Sequence, residues 1–98
     1  MPYIWIFYDI TKSNTRTAIA KMIKKTGLKR VQKSVFFGQA TDVNIQLLIH
    51  TVSQKINHRT DRFAVLPDDK SVFKRLKAFG QLTTKHLADF WTRRVNFV

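Results

Sequence analysis

Six consecutive residues, Tyr3-Ile4-Trp5-Ile6-Phe7-Tyr8, are all aromatic or β-branched, and the run stops at Asp9. No polar residue alternates with the apolar ones, so the pattern is that of an interior strand covered on both faces. Successive side chains of a strand leave on opposite sides. Ile4, Ile6 and Tyr8 therefore share one face, and Trp5, Phe7 and Asp9 share the other. The run is much shorter than the ~20 residues of a membrane span, and it lacks the basic flank of a signal peptide.

The rest of the chain has to cover that strand. Ser13 or Asn14 is a capping residue type, and the spacing predicts a helix from Thr15 to Thr26 with Ile19, Met22, Ile23 and Thr26 inward and Gly27 as its stop. Arg30 to Gln39 is extended, either one strand or a tight hairpin turning near Lys33-Ser34. Thr41 or Asp42 caps a second helix carrying Val43, Leu47, Leu48, Val52 and Ile56. Asn57 to Asp61 reads as a loop and Phe63 to Leu66 as a further buried strand stopped by Pro67. A short helix opened by Asp69 or Ser71 and ended by Gly80, then a helical turn around Leu87 to Trp91 and a last strand from Arg94 to Val98, complete the reading.

That order closes most simply as an α+β fold, a ferredoxin-like βαββαβ plait with an extra C-terminal short helix and strand. Residues 1–80 form the plait and 81–98 an extension of the same single domain. Two helices cover only one face of a four-stranded sheet, which leaves the Trp5 and Phe7 row to another partner. The pattern predicts a homodimer built on that row.

Charge narrows the partner. There are 18 Lys and Arg against six acids, every one of them Asp, for a net charge of +12 on 98 residues. A fold that tolerates this self-repulsion answers best to a polyanion, with nucleic acid the first candidate. The expected setting is cytoplasmic and without membrane contact, because no segment joins a long apolar face to a basic one. No cysteine is present, which excludes disulfides and thiolate metal sites, and His50, His58 and His86 lack zinc-ligand spacing.

Asp9 is the one acid among the first 41 residues. A carboxylate there can be a plain turn or helix-entry residue. In a two-fold dimer on the Trp5 row, however, two copies of Asp9 approach each other and meet the minimum of one or two carboxylates that holds Mg²⁺ (or Mn²⁺) with water and phosphate oxygens. Arg16 and Arg30 are candidates to bind phosphate bidentately. Ser34 is open to two readings, a hydrogen-bond partner of phosphate or metal-bound water, and a turn residue. Phe36 is either a base-stacking ring or a core aromatic. Lys12, Lys21, Lys24, Lys25 and Lys29 form a phosphate-facing cluster whose members are individually replaceable.

Tyr8-Asp9-Ile10, then Arg16, Gly27 and the string Arg30-Val31-Gln32-Lys33-Ser34-Val35-Phe36-Phe37-Gly38, resemble the Cas-two family, the second universal CRISPR-associated protein. The likeness runs from Tyr3 to about Pro67. It implies a ferredoxin-like homodimer with Asp9 as the family aspartate and with Tyr8, Arg16, Arg30, Ser34 and Phe36 at the flanking positions. It also implies a Mg²⁺-dependent endonuclease acting on single-stranded RNA or double-stranded DNA. A further implication is the central dimer that bridges the Cas-one integrase during spacer integration. Ala18 stands where some members carry a second arginine, and Gln81 to Trp91 looks longer than the usual link to the last strand. A related ribonuclease toxin is the alternative. An RNA-recognition module fits poorly, because its Lys/Arg-Gly-aromatic string is missing.

Overall fold

The computed structural model describes residues 3–68 together with Arg75. Its central strand, β1 (Tyr3–Asp9), is followed by α1 (Ser13–Lys25), the hairpin β2 (Lys29–Gln32) and β3 (Val35–Gln39), α2 (Asp42–Lys55) and β4 (Arg62–Asp68). The strands form one sheet in the order β2-β3-β1-β4, and each neighbouring pair is antiparallel. This is the α+β plait expected from the sequence, with β1 flanked on both sides. The expected helix after Asp69 and the segment 81–98, with its strand from Arg94, lie outside the described residues.

Both faces of β1 are apolar, but they are covered unequally. Ile4, Ile6 and Tyr8 pack with Ile19, Ala20 and Ile23 of α1, Ile45, Leu48 and Val52 of α2, and Phe36 of β3, which forms the main core between sheet and helices. On the opposite face Trp5 and Phe37 make a second, smaller cluster with Tyr3, Val31 and Val35. The Trp5 indole N–H donates to Asp68 Oδ2 at 2.8 Å, so the acid buried on this face has a charge-assisted hydrogen bond across the β1–β4 ladder. Farther along the same face Phe7 and Leu66 remain 39% and 40% exposed.

Several local expectations shift. The first helix begins at Ser13, not Thr15, because the Arg16 N–H reaches the Lys12 carbonyl at 2.9 Å and closes a turn early. The N-cap position is Lys12, which supplies no side-chain acceptor, and Asn14 acts from inside the first turn, its Oδ1 accepting the Thr15 N–H at 2.8 Å. The stop is as expected: Gly27 takes φ +102°, a conformation that suits a residue without Cβ, and its N–H donates to the Lys24 carbonyl. Lys33-Ser34 does turn a hairpin. Thr41 does cap α2, accepting from the Asn44 N–H at 3.1 Å.

Val43 and Leu47, expected inward, are 68% and 61% exposed, and Ile45 is buried in their place. Apolar residues lie on both sides of this helix, so its periodicity alone does not choose the buried stripe. β4 is half-buried rather than fully buried. Phe63 and Val65 face the main core while Ala64 and Leu66 are exposed, and the strand runs through Pro67. A proline is tolerated there because β4 is the outermost strand of the described sheet and its missing N–H costs no ladder bond on the open side.

Candidate nucleic-acid and metal site

The sequence assigns Asp9 to the Trp5 face, and the ladder agrees. Tyr3, Trp5, Phe7 and Asp9 pair in register with Asp68, Leu66, Ala64 and Arg62 of β4, so all eight project from the same side of the sheet. Asp9 is exposed at the rim of the face that the helices leave open. Its neighbour Tyr8 points the other way, buried at 6% exposure, stacked against Phe36 with ring centroids 6.2 Å apart, and donating its hydroxyl to the Lys33 carbonyl at 3.3 Å. Tyr8 thus fixes the end of β1 from below while Asp9 reaches out above it. Among the described residues no group of three or more acidic, histidine or cysteine side chains gathers to hold a metal. Among the described residues Asp9 is the exposed carboxylate of this sheet face.

The other candidates separate. Ser34 lies in the β2–β3 turn, half-buried, and its carbonyl accepts the Tyr8 N–H at 3.1 Å, which sets this turn beside the end of β1. Phe36 is fully buried in the main core, so of its two readings the core aromatic holds and a base-stacking role does not. Arg30, exposed on β2, lays its guanidinium 5.2 Å from the Phe36 ring centroid. It is therefore on the helix side of the sheet. Two strand spacings of about 4.8 Å and three residues of rise put its Cα roughly 14 Å from that of Asp9.

Arg16, half-buried, donates from Nη1 to the Ile10 carbonyl at 2.9 Å and ties α1 to the end of β1. Lys12 stands at the start of α1. Lys21, Lys24 and Lys25 are exposed farther along it, at spacings that share one helix face, and the last two also suit the negative end of the helix dipole. From Lys12 to Lys25 the helix rises about 20 Å, so these lysines form a stripe and not a ring around Asp9.

The loop after Asp9 is fastened by a residue the motif reading does not include. Asp61 accepts the Thr11 N–H through Oδ1 at 3.0 Å and the Asn57 N–H through Oδ2 at 2.9 Å, joining the β1–α1 and α2–β4 loops. Those backbone N–H groups, Asn57 foremost and Thr11 next, hold its carboxyl below the usual carboxylate range. Arg62, the register partner of Asp9, was equally hidden in the sequence. Only the strand pairing brings it there.

Comparison with known proteins bears on this arrangement. Residues 1–76 match the model of the family described as CRISPR associated protein Cas2. The chain belongs to the Cas2 family. It is 31% identical over 64 residues to the "CRISPR-associated endoribonuclease Cas2" of Korarchaeum cryptofilum, a match spanning 65% of this chain and 69% of that one. It is 25% identical over 68 residues to a Thermoproteus tenax protein named as a Cas1/Cas2 endonuclease fusion, covering 69% of this chain and 26% of the fusion. The crystal structure of Streptococcus pyogenes Cas2 superposes with a TM-score of 0.68 at 24% identity, covering 80% of this chain and 99% of that one, a likeness of fold. Within the described part of this Cas2-family chain, no helix is long and apolar enough to cross a membrane.

Proposed function

We propose that two copies of this chain meet through the Phe7–Leu66 face and form a Mg²⁺-dependent endonuclease at their paired Asp9 residues. The observation that carries the reading is the position of Asp9, exposed at the rim of the sheet face on which Phe7 and Leu66 also remain open. Covering those side chains with a second copy brings Asp9 toward the partner subunit's Asp9, and the pair supplies two carboxylates to one site. Such a pair suits a hard cation that keeps waters and takes phosphate oxygens as further ligands. Mg²⁺ bound there supplies Lewis-acid polarisation of the phosphodiester and a water of lowered pKa. The chain itself does the positioning. Tyr8 and Arg16 anchor the end of β1, Asp61 fixes the following loop, and the α1 lysine stripe holds the flanking backbone by charge. Names of relatives point to RNA as the substrate, as in the Korarchaeum endoribonuclease.

A second reading rests on the Thermoproteus fusion, in which the two proteins are joined in one chain. On that reading the basic dimer is a scaffold that holds duplex DNA beside a Cas1 integrase, and the lysine stripe matters more than Asp9. One experiment separates the two. Asp9→Asn is assayed for Mg²⁺-dependent cleavage of single-stranded RNA and duplex DNA, with EDTA controls, and for spacer integration with Cas1. The nuclease reading expects cleavage to disappear; cleavage that persists at the wild-type rate overturns it. Integration that survives the substitution assigns the cellular role to the scaffold.

A further inference from the structure

Across the ladder from the exposed end of β1 stands a cation that the motif does not contain. Arg62 opens β4 directly opposite Asp9 in the antiparallel ladder. Cross-strand partners leave on the same face with Cβ atoms about 4.5–5.5 Å apart, so Arg62 starts beside Asp9 on the face that the helices leave open. Both residues are exposed. The pairing is held in place on each side, because Asp61, immediately before Arg62, grips the Thr11 N–H just beyond Asp9. The arginines picked out by sequence are engaged differently, Arg16 on the Ile10 carbonyl and Arg30 over Phe36 on the helix side.

We propose that Arg62 is the phosphate-binding arginine of the Asp9 site. In the free protein it balances the charge of Asp9. With nucleic acid bound, its planar fork of donors takes a non-bridging oxygen of the phosphate lying over Asp9. This rests on the nucleic-acid reading above and deepens it. A consequence follows for binding without metal. Asp9 and phosphate then compete for one guanidinium, so neutralising Asp9 releases Arg62 and tightens the complex.

The test is a double-mutant cycle on nucleic-acid affinity in EDTA, read by fluorescence polarisation with a labelled duplex DNA and a labelled single-stranded RNA. The proteins are wild type, Asp9→Asn, Arg62→Ala, the double variant and Arg59→Ala, which removes the same charge from the adjoining loop. Asp9→Asn is expected to tighten binding about threefold to tenfold, the size of one charge-assisted contact, and Arg62→Ala to weaken it by a similar factor. In the Arg62→Ala background Asp9→Asn should do nothing. Equal tightening with and without Arg62, or an Arg62→Ala effect no larger than that of Arg59→Ala, overturns the proposal. So does an absence of wild-type binding to both probes.

With Mg²⁺ present, Arg62→Ala should raise KM severalfold and leave kcat within about twofold, with Arg62→Lys restoring part of the loss. Failure of the nuclease reading shows separately, as cleavage unaffected by Asp9→Asn, and the EDTA cycle still decides the role of Arg62.

Discussion

Phe7 offers the sharpest perturbation of the proposed dimer. A phenylalanine buries about 150–250 Å² when fully enclosed, and 39% of Phe7 is still open in the single chain. About 60–100 Å² thus remains for a partner to cover, worth about 1.5–2.5 kcal/mol at about 25 cal/mol per Å². A two-fold interface covers it twice. Allowing for the methyl that alanine keeps, Phe7→Ala removes about 2–4 kcal/mol from association, which weakens the dimer about 30-fold to 1,000-fold. Sedimentation equilibrium over a concentration series measures this directly, and circular dichroism checks that the variant is folded, since Phe7 also stacks on Trp5 at 6.1 Å. Leu66→Ala, at 40% exposure, should act in the same direction with a smaller effect. A folded Phe7→Ala that associates as tightly as wild type would refute the assignment of this face.

Other expectations follow from particular contacts. Asp61 titrates below the ordinary carboxylate value of 3.8 in the folded chain, so its stabilisation is complete above that pH and is lost as pH falls through the lowered native value; the gap in Tm between wild type and Asp61→Asn should hold near neutrality and close below pH 3.8. Gly27→Ala forces a Cβ into φ +102° and should cost about 1–2 kcal/mol, several degrees in Tm by calorimetry. Ile45→Ala should cost about 2–5 kcal/mol in urea unfolding, whereas Leu47→Gln, at 61% exposure, should change stability by less than about 0.5 kcal/mol.

Much of the fold is legible in the chain because its local signals agree with one another. The apolar run of β1 admits only a central strand, Gly27 and Thr41 mark helix boundaries by their chemistry, and the hairpin falls between Lys33 and Ser34 without an Asn-Gly turn. Failures came where one pattern fits two packings. The second helix has apolar residues around much of its circumference, so its spacing points Val43 and Leu47 inward and passes over Ile45, which the packed structure buries. β4 looks buried from its apolar composition, yet the two helices cover only one face of the sheet and leave Ala64 and Leu66 open on the other.

The site shows the same limit. Asp9 could be assigned to a face by counting alternate residues, and Tyr8, Arg16 and Phe36 to their neighbourhood by resemblance, but distances across the sheet depend on register. Register brings Arg62 to Asp9 and carries Arg30 away to the helix side. Among the described residues it also sets the lysine stripe along α1 apart from Arg62, the cation in register with the acid, two features that share a sign of charge but have different work to do on a phosphate backbone.

The decisive measurement is the proximity of Asp9 to its own copy. The chain contains no cysteine, so Asp9→Cys introduces the only thiol, and a short bifunctional maleimide reports whether two such thiols come together in solution. The dimer proposed here predicts efficient formation of a covalent dimer, abolished when Phe7→Ala is added and absent from a Gln46→Cys control on the exposed side of α2. An Asp9→Cys protein that associates yet crosslinks no better than the Gln46→Cys control would place the two acids apart and contradict a shared metal site.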